Sequence, residues 1–577
     1  MDDAIRRRLG GGTEPSDEPT EEASGINNLG AQMVGGLTGV SALHASGWVP
    51  PADLEWQDEQ DNWQITPTVQ EEASGTGIDA RTLAIGTGVF LLAALPRLFV
   101  IFFVTDPQNP GLGWYGDTFH HWQIAYLSME IGFEEGFLRL WDFKGMEYFW
   151  GLLHPLILAG LFSITGSVDI LIPRMVSLVS GSLAVVFLFV LARRYFGTQV
   201  AVAAALLAAL NPVGIFSDAS GMQEPLGIML LLGGLLLWPK RPFATGAIWA
   251  LAGMVRAEYW VIGAGLIFAA FLVEKGSIRK IGLAIGWGVP SLLYMKYMAG
   301  YTGNPIYPIY WNYMGNAAGA WMEDIPLDAT KLAVQWGFRI VAILCVIGFR
   351  KLWKSKPRHS LLYLLGLGNV LLVSIMLGFS AYVRGFLPRF FVDRIFEWPY
   401  AFLGLVIAVL LIREVSPRIG KSMGPAAAWT GVVGVLAVSQ LAWPVIWRYF
   451  EPGRLLYEGE FSTATAIAEN YEGGVISIPE DRPWQTYWLV NEFDLDARSI
   501  EGQMYDPFAY IEGDPFARWD ESSETIRNWL DTQDIKLLVF YTGKWNYEEM
   551  IRREPGWFNY VSTANQGTVQ IYQVVGQ

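Results

Sequence analysis

The chain has 577 residues, 52 % of them apolar and 14 % aromatic, with a mean hydropathy of +0.29. Apolar runs of about 20 residues recur along it, which excludes an ordinary soluble multidomain protein and points to a polytopic membrane protein. The formal net charge of −15 argues against nucleic acid as a partner, and acid in such excess, with Arg well outnumbering Lys, suggests a carboxylate-rich surface suited to high salt.

Residues 1–80 hold no sustained apolar period and are rich in Gly, Glu, Asp, Ser and Thr, which predicts a disordered acidic tail. The segment 33–49 is broken by glycines and is too weak for a signal peptide. From residue 81 to 450 the sequence predicts a helical membrane domain. Its helices fall near 83–104, 170–192, 199–216, 222–238, 280–299, 331–349, 360–380, 395–412 and 425–446. The only cysteine, Cys345, lies within one of them, so there is neither a disulfide framework nor a cysteine metal site. Residues 244–273 are too long for one helix and carry Arg256 and Glu258 near their middle, which predicts two short helices that dip in and return.

Loop charge sets the topology. With the N-terminus cytoplasmic, the inner loops carry Arg193-Arg194, Lys240-Arg241, Lys275/Arg279/Lys280, the basic run 350–358 and Arg413/Arg418/Lys421. The outer loops at 217–223 and 300–330 carry no Lys or Arg. The pattern requires 244–273 to cross an even number of times and gives about eleven membrane helices. It places 106–169 outside, and within that loop 148–165 reads as an amphipathic helix lying on the outer surface. Residues 451–577 then form a small extracytoplasmic α/β domain. Its strands are expected at 475–478, 535–540 and 569–574, and its helices at 462–470, 522–532 and 546–553.

Chemistry-bearing residues gather in the first outer loop. Asp117 lies in Gly116-Asp117-Thr118-Phe119-His120-His121-Trp122, and Lys144, Glu147 and His154-Pro155 follow. Three of the chain's five histidines are here. A carboxylate in this place can take a proton from an acceptor hydroxyl; equally, Asp117 can cap the helix that begins at Thr118. His154 can donate to a phosphate or can be a satisfied side chain among leucines. Arg174 stands at the outer start of a membrane helix. Glu224-Pro225 opens another, where an acid also complements the helix dipole. Arg256 and Glu258 can pair with each other. Arg384, Arg389 and Arg394 lie on the side where the charge rule expects few cations. They call for an anionic partner such as a lipid phosphate, or they pair with Asp393 and Glu397.

These residues, in this order, resemble the GT-C superfamily of membrane glycosyltransferases, in particular the branch of protein O-mannosyltransferases and aminoarabinose-type lipid A transferases. The likeness rests on Gly116-Asp117, His154-Pro155-Leu156, Ile172-Pro173-Arg174, Ala192-Arg193-Arg194-Tyr195-Phe196-Gly197, Glu224-Pro225 and the break at Gly253–Arg256. It covers residues 83–275 by motif and 280–446 by hydropathy alone. The second proline of the family's HPP is absent, and no second acid follows Asp117. The WWDYG motif of oligosaccharyltransferases is missing from the C-terminal segment, so single-sugar transfer is expected rather than en bloc transfer.

The resemblance implies an inverting transferase that moves one sugar, mannose by likeness, from a dolichyl- or polyprenyl-phosphate donor to a glycan or glycoprotein acceptor. With the acid-rich composition it implies a haloarchaeal protein. Asp117 would be the general base. Lys144, His154, Arg174, Arg256, Arg384 and Arg389 would bind donor phosphate, and His120, His121, Glu147 and Glu224 would position substrate. No cofactor is required; a divalent metal could sit on Asp117 and Glu224, but the supply of cations makes it optional. The competing class is a lipid-linked sugar flippase, expected to spread charge along a path through the bilayer rather than at one face.

Overall fold

The structure, a computed structural model, describes residues 80–104, 116–130, 150–238, 240–273, 276–310, 397–441, 454–478, 483–502, 523–543 and 545–576. The tail, the expected helices at 331–349 and 360–380, and the loop 381–394 lie outside the described residues. Residues from Ala84 to Gln577 belong to one compact unit.

Helix α1 (Ala80–Phe99) carries Pro96 and runs into a π-helical turn at Val100–Val104. Proline removes one ladder donor, and such wide turns follow where the ladder is interrupted. Helix α2 (Gly116–Glu130) and helix α3 (Leu153–Thr165) pack together. Helix α4 (Leu171–Phe196) ends in Arg193 and Arg194, which complement the negative end of its dipole.

The expected helix at 199–216 is instead two: α5 (Thr198–Ala209) and α6 (Pro212–Ser220), bent by 55°. The physical reason is Asn211-Pro212. Proline cannot continue a helix but starts one well, and the Asn211 side chain caps the new start by accepting from the Val213 amide at 3.1 Å. Helix α5 is rich in alanine, and these small residues let it close on α4.

Helix α7 (Glu224–Leu237) starts at the expected glutamate, with Pro225 in its first turn. Residues 244–273 do break: α8 (Pro242–Gly253) stops, and α9 (Ala257–Val273) begins beyond Arg256. Helix α10 (Ser277–Thr302) packs on α8 and turns an apolar stripe of Ile278, Ile281, Ile285, Val289 and Leu292 outward. A stripe of that kind would be costly in water and suits hydrocarbon. Helix α11 (Glu397–Leu410) packs on α5 and passes through a π-helical turn (Leu411–Val415) into α12 (Ser416–Met423) and α13 (Pro425–Leu441). Among the described residues two helices, Leu83–Phe103 and Leu171–Phe196, are long and apolar enough to cross a membrane, and a third span arises if α5 and α6 count as one.

The C-terminal segment opens with α14 (Arg454–Glu469) and builds one five-stranded sheet from β1 (Val475–Ile478), β2 (Ile500–Gly502), β3 (Ile535–Tyr541), β4 (Phe558–Ala564) and β5 (Val569–Val574). The order is β2-β1-β3-β5-β4. The first three strands are parallel, with Ile476 opposite both Ile500 and Leu537, and β5 then runs antiparallel to both β3 and β4. Helix α15 (Pro483–Asn491) connects β1 to β2; α16 (Ser523–Thr532) precedes β3, and α17 (Trp545–Arg553) follows it. Strand β3 is apolar apart from Lys536 because both its faces are covered. Strands β1, β3 and β5 and helices α16 and α17 fall where the periodicity places them. Strands β2 and β4 and helix α15 are additions.

Candidate active site

Asp117 lies in the first turn of α2, half-buried, at the positive end of that helix. It is therefore inside the helix rather than a cap before Thr118. The residues next to it are held from two sides. The Thr118 hydroxyl reaches the Met222 thioether at 3.1 Å. Phe119 turns away to stack edge-on against Trp484 and Tyr487 of the C-terminal segment.

Gly221 shows how close the elements come. It sits at φ +86°, a left-handed conformation that suits glycine, and a Cβ there would lie 2.9 Å from the Thr118 methyl and 3.1 Å from the Arg174 amide nitrogen. The first turns of α2 and α4 thus both approach the Gly221 backbone, one with the Thr118 methyl and the other with the Arg174 amide. The hydroxyl of Ser177, one turn along α4, donates to the Met222 carbonyl and ties the same loop down. Arg174 itself is buried, with Asp169 and Tyr487 as its electrostatic neighbours.

His120 stacks on Trp150 with centroids 5.1 Å apart, and its Nδ1 lies 3.2 Å from the Gln123 side-chain oxygen. His121 meets His154 edge-on at 5.1 Å and Trp150 at 6.2 Å. Gln223, with its amide nitrogen turned toward them, reaches His121 Nε2 at 3.2 Å, the Val255 carbonyl at 2.8 Å and the Trp150 carbonyl at 3.2 Å. Accepting at Nε2 puts the His121 proton on Nδ1. Gly151, at φ +93°, would place a Cβ 2.6 Å from the Met254 carbonyl, so α3 starts directly on the break between α8 and α9. His120, His121 and His154 are therefore one cluster around Trp150, closed from behind by Gln223.

His154 is fully buried, and neither ring nitrogen has a hydrogen-bond partner among the described residues. Burial lowers its pKa to about 3. It is a neutral imidazole at any ordinary pH: such a ring can still donate one hydrogen bond to a phosphate, but it supplies no charge.

Arg256 has two carboxylate partners. It binds Glu224, and it donates to Glu258 through Nε at 3.0 Å and Nη2 at 2.9 Å. The expected Arg256–Glu258 pairing is present, but Glu224 joins it. A guanidinium shared by two acids carries no surplus charge for a donor phosphate, and Glu224 is held as the counter-ion of Arg256. The Tyr259 hydroxyl donates to the Glu224 backbone carbonyl at 3.1 Å and completes the clamp.

Lys144, Glu147, Arg384 and Arg389 lie outside the described residues. Among the described residues no three His, Cys, Asp or Glu side chains are grouped to hold a metal ion. Glu224, one of the two acids expected to share one, is engaged by Arg256.

Several site residues carry no sequence signal of their own. Gln223 and Gly221 sit in a short loop whose only marks are its polar residues and a glycine. Trp150 is one of 25 tryptophans. A buried ion pair was also missed. Arg97 binds Asp218 and donates to the carbonyls of Ala93 at 2.6 Å and Ala209 at 3.1 Å, locking α1 to α6. Its signal was an arginine two-thirds along the first apolar run, a place where an unpaired charge is not tolerated.

No protein-family profile matches the chain, and no curated protein matches it. Solved structures do resemble it. The oligosaccharyltransferase of Archaeoglobus fulgidus in the apo form is 12 % identical, over 82 % of this chain and 73 % of that one, with a TM-score of 0.45. ArnT from Cupriavidus metallidurans in the apo state is 11 % identical, over 85 % of this chain and 98 % of that one, with a TM-score of 0.48. The same ArnT bound to undecaprenyl phosphate is 14 % identical, over 87 % and 99 %, also at 0.48. These likenesses are distant, and they assign no residue a role.

Proposed function

We propose that the chain is a membrane glycosyltransferase that moves a single sugar, with inversion, from a dolichyl- or polyprenyl-phosphate donor to a glycan or glycoprotein acceptor at the outer membrane face. The observation that carries this reading is the convergence at Gly221 of the first turn of α2, with Asp117, and the first turn of α4, with Arg174. Sugar transfer from a lipid phosphate needs a base for the acceptor hydroxyl and a fixed cation for the leaving phosphate. The turn that carries the carboxylate and the turn that carries the guanidinium both approach the Gly221 backbone, which supports reading them as one site.

In this mechanism Asp117 takes the proton of the acceptor hydroxyl as its oxygen attacks the anomeric carbon. The bond from that carbon to the phosphate oxygen breaks, and the lipid phosphate leaves with the electron pair. Arg174 stabilises the charge that grows on it. Arg384, Arg389 and Lys144 are assigned the same task from sequence. His154, uncharged, serves as a neutral donor beside His121, and His120 with Trp150 forms a wall next to the base. Arg256 and Glu224 hold the α7 start against the α8–α9 break and so support the site rather than touch the donor. By the same reading the sugar is mannose and the source haloarchaeal.

The test is incubation of the purified protein with radiolabelled dolichyl-phosphate mannose, glucose and galactose in separate reactions with membrane glycan acceptors in high salt. Label should enter the acceptor from the mannose donor and from neither of the others. Movement of labelled lipid between the leaflets of a vesicle, with no label in the acceptor, would make the chain a flippase instead.

A further inference from the structure

The C-terminal segment meets α2 through helix α15. Helix α15 (PWQTYWLVN) is buried on every side: Trp484, Gln485, Thr486, Tyr487, Trp488, Leu489 and Val490 are all inaccessible. A nine-residue helix with no exposed face has neighbours all round, and one of them is α2. The Gln123 side chain of α2 donates to the Thr486 hydroxyl. The Trp122 indole donates to the Val168 carbonyl at 2.6 Å, which ties α2 to the stretch that leads into α4.

Tyr487 lies where these three parts meet. Its ring stands edge-on to Phe119 at 5.5 Å and to Trp122 at 4.9 Å. Its hydroxyl accepts the Ile170 amide at 3.1 Å and the Asn491 side-chain amide at 3.2 Å. Burial holds that hydroxyl well above the usual tyrosine range, so it stays protonated and neutral. Phe119 is two residues past Asp117, and Ile170 is four residues before Arg174, whose amide bonds back to the Ile170 carbonyl. One side chain therefore touches the turn that carries the base and the residue that opens the turn carrying the cation.

We propose that Tyr487 is the positioning residue of the reaction, setting the place of Asp117 relative to Arg174 through its ring contacts with Phe119 and Trp122 and its hydroxyl contact with the Ile170 amide. This rests on the reading of Asp117 as the base. The need is physical, because proton transfer in the transition state requires the base within hydrogen-bond reach. A displacement of about 1 Å is worth a factor on the order of a hundred in rate. The C-terminal segment is then part of the catalytic apparatus by virtue of what it holds, although it contributes no reacting atom.

The full chain in detergent or lipid carries the test, with Tyr487→Phe and Tyr487→Ala each made alone and in the Asp117→Asn background. Tyr487→Phe keeps both ring contacts and loses only the hydroxyl. It should fold with a somewhat lowered thermal midpoint, because the Ile170 and Asn491 amides lose their acceptor, and lower kcat of the folded protein by about 3- to 10-fold, and Tyr487→Ala should lower it by about a hundred-fold, with donor KM moved less than about 3-fold in each. In the Asp117→Asn background the same changes should cost less than about twofold, since the group they position can no longer take the proton. A residue needed only for folding would cost its full factor in both backgrounds, and that result overturns the proposal, as does wild-type kcat in Tyr487→Ala. If Tyr487→Ala does not fold, Tyr487→Phe decides on the same comparison. If Asp117→Asn alone turns over at the wild-type rate, the reading of the reaction has failed and this proposal falls with it. A dead Asp117→Asn with additive Tyr487 effects overturns the positioning role alone.

Discussion

Glu224 and Arg256 form a buried ion pair across 32 residues of sequence, joining the first turn of α7 to the break between α8 and α9. Glu258 holds the other edge of the same guanidinium. Helix α7 has 14 residues, which at about 1.5 Å each is shorter than the roughly 30 Å hydrocarbon core. Charge at its end is sheltered from bulk water and must be matched locally.

Breaking that match from one side should be costly. Arg256→Met leaves two carboxylates facing each other and is expected to destabilise the protein by about 3–5 kcal/mol. Adding Glu224→Gln and Glu258→Gln to it should recover a large part. Thermal unfolding in detergent measures both; a triple variant less stable than Arg256→Met would show that the acids have other partners to keep.

His154 makes stability depend on pH. Its pKa is near 3 in the folded protein and near 6.5 when unfolded. The unfolded chain therefore binds a proton that the folded one refuses. The stabilising contribution is complete above about pH 6.5 and is lost as pH falls from there toward 3, by about 1.4 kcal/mol per pH unit. Between pH 7 and 5 the thermal midpoint of the wild type should fall more steeply than that of His154→Leu. Parallel curves would mean that the imidazole reaches water.

Gly221→Ala puts a methyl between the Thr118 methyl and the Arg174 amide at a φ of +86°. The strain of a left-handed alanine is about 1–2 kcal/mol, and relief by separating α2 from α4 moves the base from the cation. Turnover is expected to fall by about 10- to 100-fold while the protein still folds. Turnover within twofold of the wild type would show that the contact does not fix the site.

Arg174→Ala should raise the donor concentration required by about ten- to a hundred-fold, the worth of a charge-assisted contact of about 1.5–3 kcal/mol. Acceptor dependence should change little. Arg174→Lys keeps the charge but not the fork of donors and should fall between. Equal effects on donor and acceptor dependence would make Arg174 a structural residue of the α4 start.

Much of the helix order was legible because long apolar runs and their loop charges are strong signals. Glu224-Pro225 marks the start of α7, and the charged pair Arg256/Glu258 marks the α8–α9 break. The kink at Asn211-Pro212 was written in the sequence too, as a cap followed by proline, but the apolar run around it outweighed it. Strand β4 (FNYVSTA) was overlooked because its pattern is that of a half-exposed edge, and β2 has only three residues. Helix α15 has no apolar period because no face of it is exposed. The histidine cluster was visible as a concentration of titratable groups. Their burial was not, and burial is what makes His154 neutral. The contacts through Gln223, Gly221 and Tyr487 join segments far apart in sequence, which no local pattern reports.

The central claim is that Asp117 is the general base, and its most direct measurement is the single-turnover rate of Asp117→Asn against the wild type with donor saturating. Asn keeps the size and one acceptor but takes no proton at neutral pH. The expected outcome is a folded protein with wild-type thermal stability, unchanged donor binding and a rate lower by about 10²–10⁴-fold, while Glu130→Gln, an exposed change at the far end of α2, keeps its activity. A rate for Asp117→Asn within a few-fold of the wild type would contradict it.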